Sequence, residues 1–139
     1  MNFVSIRILT GDIKRLVATY ERATGVSATW STEDFAEIAT PRATLAIGST
    51  RTMPLFAPGA ARPAATDTVI IEFLVDDVDK AHQELAGLVD DVVQEPTTMP
   101  WGNRSLLFRD PDGNLVNFFT PVTPAAIDKF AQVRHVSLG

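Results

Sequence analysis

Residues 108–121, FRDPDGNLVNFFTP, place a tight turn between two short apolar runs. Pro111 presets φ, Asp110 and Asp112 can hold local backbone donors, and Gly113 accepts a positive φ, which together are the chemistry of a β-turn. The flanking runs are therefore predicted to form a hairpin. The strand leaving the turn carries a neutral amide, Asn117.

Working back to the start of the chain, Phe3, Ser5, Arg7 and Leu9 alternate with Val4, Ile6 and Ile8, the period of a strand with one core face. Thr10 or Asp12 can cap a helix predicted over 12–24, where Ile13, Leu16, Val17 and Tyr20 line one side and Gly25 supplies the stop. Three β-like pieces follow at 26–31, 35–39 and 44–47, so residues 1–49 read as a β-α-β-β-β unit. Residues 50–66 carry Pro54, Pro58, Gly59 and Pro63, a linker composition that sustains neither a helix nor a central strand. The opening order then recurs: Ile71 falls on Ile6, Phe73 on Ile8, Asp77 on Asp12 and Val78 on Ile13. Val92 and Val93, then 105–108 and 115–119, supply three more β pieces and complete a second unit over 67–121. An internal duplication within one domain is the economical reading. Thr123 and Pro124 open a last helix, with Ile127, Phe130 and Ala131 as the face expected to dock on the sheet or on a partner chain; helix and tail occupy 122–139. The predicted class is α+β.

Composition narrows the chemistry. The 139 residues include no cysteine, which excludes disulfides, a thiolate nucleophile and cysteine-held zinc or iron–sulfur centres. No stretch approaches the roughly 20 apolar residues that span a bilayer, and the first residues lack a signal-peptide pattern, so a cytoplasmic location without membrane attachment is expected. A formal net charge of −5 with no basic cluster disfavours nucleic acid and anionic membranes, and accommodates a neutral or cationic small molecule more easily.

The duplicated units, together with Asp12 at the first helix, Tyr20 followed by Gly25, Val75-Asp76-Asp77-Val78 at the second strand-to-helix junction and the Asp-Pro-Asp-Gly-Asn turn, resemble the vicinal oxygen chelate superfamily of glyoxalases, extradiol dioxygenases and bleomycin-resistance proteins. The resemblance covers the chain to about Pro121. It implies two curved mixed sheets around a trough, helices on the convex faces, a homodimer, and, in metal-dependent members, His or Glu ligands on the first and last strand of each unit. Here those positions match Ser5, Ile70 and Asn117, while residues 44–47 offer only apolar or hydroxyl side chains. Transition metals need about three imidazole, carboxylate or similar donors, so the resemblance points to the metal-free, bleomycin-resistance-like branch, with no cofactor.

The remaining candidates follow from residue type. Glu72 and Glu37 sit at alternation positions facing either solvent or the trough; a desolvated carboxylate there could serve as a general base. His82, beside Lys80, Gln83 and Glu84, reads as a surface histidine and His135 lies in the tail, so no serine or cysteine triad can be assembled. Among the aromatics, Trp30 and Phe35 lie on the second and third strands, Phe56 in the linker and Trp101 between Pro100 and Gly102 on the loop before the final hairpin. An exposed indole near Arg104 suits stacking on a conjugated ligand. The expected ligand set is therefore Ser5, Trp30, Phe35, Ile70, Trp101, Arg104 and Asn117. The function expected is metal-independent binding or sequestration of a small aromatic or amphipathic molecule. The alternatives are a related lyase, isomerase or oxygenase with a displaced or non-metal site, in which Glu72 acts, and an interaction module using exposed sheet edges.

Overall fold

The computed structural model describes residues 1–55 and 57–132; Phe56 and residues 133–139, with His135, lie outside the described residues. The chain divides into two compact units, Met1–Thr66 and Asp67–Gly139. The first contains β1 (Ser5–Thr10), α1 (Ile13–Thr24), β2 (Thr29–Thr32), β3 (Phe35–Ala39) and β4 (Thr44–Ser49), in a sheet ordered β1-β4-β3-β2. The second repeats it with β5 (Ile70–Leu74), α2 (Val78–Leu85), β6 (Val92–Thr98), β7 (Asn103–Arg109) and β8 (Leu115–Pro121), ordered β5-β8-β7-β6. In each sheet the first and last strands pair in parallel and the rest antiparallel. The class is α+β, as predicted, and α3 (Pro124–Lys129) follows the second unit.

The repeated aspartates start both helices. Asp12 takes the Arg15 N–H at 3.2 Å and Asp77 takes the Lys80 N–H at 3.1 Å, each satisfying a donor left over in the first helical turn. Gly25, at φ 73°, ends α1 by donating its N–H to the Glu21 carbonyl. Helix α1 packs on β3 and β4, burying Leu16, Val17 and Tyr20 with Ala36, Ile38, Leu45 and Ile47. Helix α2 packs on β6, β7 and β8, where Val78 and Leu85 meet Phe108, Val116 and Phe118. Phe118 is gripped edge-on by Phe73 at 5.5 Å and by Phe108 at 5.0 Å.

Four expectations need correction. The first strand starts at Ser5 and not at Phe3, and Val4 and Ile6 are exposed, because β1 is an edge strand paired only with β4. The start of the linker forms a short 3-10 helix, Thr50–Leu55, in spite of Pro54: Ser49 Oγ accepts the Arg51 N–H and Thr52 Oγ1 donates to the Ser49 carbonyl, which fastens its first turn. Strand β6 extends to Thr98 through Pro96, which is tolerated because β6 is the other edge of its sheet. On α3 the buried residue is Ala126, whereas Ile127 is 43% exposed; docking runs through Phe130, whose ring meets Phe119 at 5.1 Å. Among the described residues no helix is long and apolar enough to cross a membrane.

Candidate functional site

Strand register decides which side chains can act together, since residues directly opposite on paired strands share a face. In the second unit Thr120 faces α2: its hydroxyl accepts the Val78 N–H at 3.0 Å and donates to the Val75 carbonyl at 2.9 Å. Arg104 stands opposite Thr120 and shares that face. Asn117 stands between Glu72 on β5 and Leu107 on β7 and belongs to the opposite face, with Ile70, Leu115 and Phe119.

On that far face Glu72 and Asn117 form a hydrogen-bonded pair. Asn117 Nδ2 donates to Glu72 Oε2 at 2.8 Å. Because a carboxylate only accepts, the amide must turn its NH2 toward Glu72, and this fixes Oδ1 pointing away. Asn117 is 8% exposed, and its Oδ1 is buried with no hydrogen-bond partner among the described residues. Glu72, by contrast, is exposed. Ile70 lies opposite Leu115, one step along the ladder from this pair.

Arg104 works on the other side. Its guanidinium forks onto Asp79 of α2, Nε to Oδ2 at 2.9 Å and Nη2 to Oδ1 at 3.0 Å, and Nη1 reaches Thr98. The hydrogen bonds from Arg104 hold the Asp79 carboxyl below its ordinary pKa. The structure thus ties Arg104 to the helix and separates it from Asn117. His82 is half-buried on α2 near Asp79, more enclosed than the surface position read from its neighbours.

Trp101 occupies a tight turn, not a loop. Gly102 donates to the Met99 carbonyl at 2.9 Å and Met99 to the Asn103 carbonyl at 2.7 Å, closing the β6–β7 hairpin. The same two bonds close β7–β8, from Gly113 to Asp110 at 2.9 Å and from Asp110 to Asn114 at 3.0 Å. Both turns read x-Pro-x-Gly-Asn, with Gly102 at φ 94° and Gly113 at φ 85°, so the repetition of Pro100-Trp101-Gly102-Asn103 in Pro111-Asp112-Gly113-Asn114 is a signal that sequence reading passed over. Trp101 is held at the turn tip, 67% exposed.

In the first unit the register sets Ser5, Arg7, Phe35, Glu37 and Ala46 on the face away from α1, while Trp30, opposite Ala36, belongs to the helix-facing side of edge strand β2. Ser5 is exposed. Arg7 is the counterpart of Glu72 in the duplication and Ala46, opposite Arg7, is the counterpart of Asn117. The Arg7 guanidinium lies 4.7 Å from the centre of the Phe35 ring, a cation–π stack. Arg7 was not among the expected site residues, and its place opposite Ala46 is the signal that identifies it.

A divalent metal, as in the metal-dependent relatives that the sequence resembles, does not fit these residues. The equivalent positions hold Ser5, Ala46, Ile70 and Asn117, and Asn117 directs an amide NH2 at the nearby carboxylate. Among the described residues no group of three or more His, Cys, Asp or Glu is placed to hold a metal ion.

The fold recurs in solved structures. A glyoxalase/bleomycin resistance protein/dioxygenase from Nocardioides is 19% identical at TM-score 0.71, with 89% of this chain and 85% of that chain covered. A family enzyme of the same description from Burkholderia phytofirmans PsJN is 18% identical at TM-score 0.75, covering 85% and 97%. A glyoxalase-related enzyme from Fulvimarina pelagi is 15% identical at TM-score 0.73, covering 86% and 87%. No curated protein matches the chain. The family model for these folds matches residues 2–118, which takes in the first sheet, both aspartate-capped helices and the second sheet as far as Phe118 in β8, and the chain belongs to the Glyoxalase/Bleomycin resistance protein/Dioxygenase superfamily.

Proposed function

We propose that this chain binds a small aromatic or amphipathic molecule without a metal, like the antibiotic-sequestering branch of its superfamily. The observation that carries the reading is Asn117: where relatives with a metal carry a ligating Glu, this chain has an amide bonded to Glu72 and an apolar surround of Ile70 and Leu115. Sequestration requires shape, apolar surface and a few placed polar groups, and these residues supply that kind of surface. In the second unit the exposed Trp101 is the aromatic surface proposed for ligand contact; the first unit, taken by itself, offers Phe35 and Ser5 on its face away from α1. A thermal-shift screen of aromatic and amphipathic antibiotics tests it. Several hits that raise the melting temperature with or without chelator support the reading, and stabilisation that depends on added metal overturns it.

The exposed carboxylate of Glu72 favours a second reading, a related lyase or isomerase using this group as a general base. Asn117 holds one carboxylate oxygen and leaves the other for a substrate proton. Turnover of any hit, abolished in Glu72→Gln, would decide for it. We propose a homodimer as the working assembly, since Phe3 and Val4 are exposed apolar residues leading into edge strand β1. Light scattering at tens of micromolar checks the mass.

A further inference from the structure

We infer that the Glu72–Asn117 pair recognises a protonated amine, amidinium or guanidinium group, so that the bound molecule is a cation rich in N–H donors. The inference rests on the reading of this chain as a small-molecule binder and names the chemical class of its ligand. Three observations converge on it. Glu72 is an exposed carboxylate that makes no ion pair among the described residues; Ile70, Leu107, Leu115 and Asn117 around it are neutral, and Arg109, opposite Leu115 on the same face, is engaged with the Gly113 carbonyl and with Asp91. Its one hydrogen bond there comes from Asn117, which is neutral and leaves the negative charge uncompensated. Asn117 Oδ1 is a buried acceptor without a donor, in a side chain whose other end is already committed. A buried acceptor left unmade carries its full desolvation cost, so a partner that supplies the donor is favoured by that site in particular.

The two vacant demands are both for hydrogen, one with positive charge. An anion meets repulsion from Glu72. A neutral hydroxyl offers a single donor and leaves the carboxylate unpaired. A nitrogen cation carries two or more N–H groups on one compact head and can bond the carboxylate at the surface and the amide oxygen behind it. Exposed Ile70 beside the pair gives the organic portion of such a ligand an apolar surface. The net charge of −5 draws a cation toward the chain.

Calorimetric titration of the full chain with matched probes tests this: benzamidine and benzylamine as cations, benzamide and benzyl alcohol as neutral counterparts, benzoate as the anion. Near neutral pH the cations are expected to bind at least about tenfold more tightly than their neutral counterparts, with benzoate weakest. Glu72→Gln should remove that preference. Asn117→Leu should weaken the cations without lowering the melting temperature, since it also removes the orphaned oxygen. Equal affinity for charged and neutral probes, insensitive to Glu72→Gln, would assign Asn117 Oδ1 to a bound water only and overturn the inference while the binder reading stands. Hits in the antibiotic screen confined to neutral or acidic molecules overturn it in the same way, whereas a screen without hits of any charge overturns both.

Discussion

Gly102 and Thr123 meet so closely that position 102 has no room for a side chain: a Cβ there would collide with Thr123 Oγ1 and stand 3.1 Å from Ala126 Cβ. The Gly102 carbonyl also accepts the N–H groups of Val122 at 2.9 Å and Thr123 at 3.3 Å. The turn that carries Trp101 is therefore fixed to the start of α3. Gly102→Ala combines this collision with a φ of 94°, which side chains rarely adopt, and is expected to cost roughly 2–4 kcal/mol in urea unfolding. Gly113→Ala has the positive φ but open space around it, and should cost about 1–2 kcal/mol.

Thr120 joins β8 to the β5–α2 junction through two hydrogen bonds. Thr120→Val keeps the shape but leaves the Val78 N–H and the Val75 carbonyl without this partner, an expected loss of about 1–3 kcal/mol. Unchanged stability would mean that water replaces the hydroxyl freely.

The Arg104–Asp79 fork predicts a signed pH dependence. Since Arg104 holds the Asp79 carboxyl below its ordinary value of 3.8, the stabilisation is present above that pH and is lost as the pH falls through the lowered value. Arg104→Met should therefore melt below wild type near neutral pH, and the gap should close in acid. Ligand affinity should be unaffected, as Arg104 occupies the face opposite Asn117; a large loss of affinity would return it to the ligand set.

Trp101 and Phe118 make a contrasting pair. Phe118 is 1% exposed between two other rings, and Phe118→Ala is expected to cost about 3–5 kcal/mol. Trp101→Ala at the turn tip should change stability by less than about 1 kcal/mol while weakening a bound aromatic by roughly 1–3 kcal/mol. Fluorescence titration and melting of the two variants separate the roles.

Protein purified without chelator is expected to contain no stoichiometric zinc, manganese, iron or nickel, and chelator should leave its melting temperature unchanged. The donor set at Ser5, Ala46, Ile70 and Asn117 is the reason.

Much of the fold was legible because local signals agree with the global plan. Asp12 and Asp77 cap their helices, Gly25 stops the first one, and the Pro111–Gly113 turn makes its hairpin. The site was less legible, for a geometric reason. Strand side chains alternate, so an error of one residue exchanges faces. Asn103 and Ser105 share the Asn117 side while Arg104 between them belongs to the helix side, and only the pairing with Thr120 settles which. Trp30 is assigned by Ala36 in the same manner. Glu72 left both faces open in the sequence, and its partner across the ladder chose one. Strand β6 was read only at Val92 and Val93, where the apolar residues are; it continues through the polar stretch and Pro96 to Thr98, which a sheet edge permits.

The Pro96 in β6 has an effect outside its own sheet. A proline in the outermost strand removes one backbone donor, and the pairing with β7 slips on either side of Gln94. A foreign strand laid along this margin would find neither a continuous row of donors nor an even spacing. The margin is thereby guarded against runaway stacking of copies into fibrils, even though Val92 and Val93 are exposed there. Ordered pairing of this chain through backbone ladders is disfavoured at this margin relative to the opposite edge strand, β5.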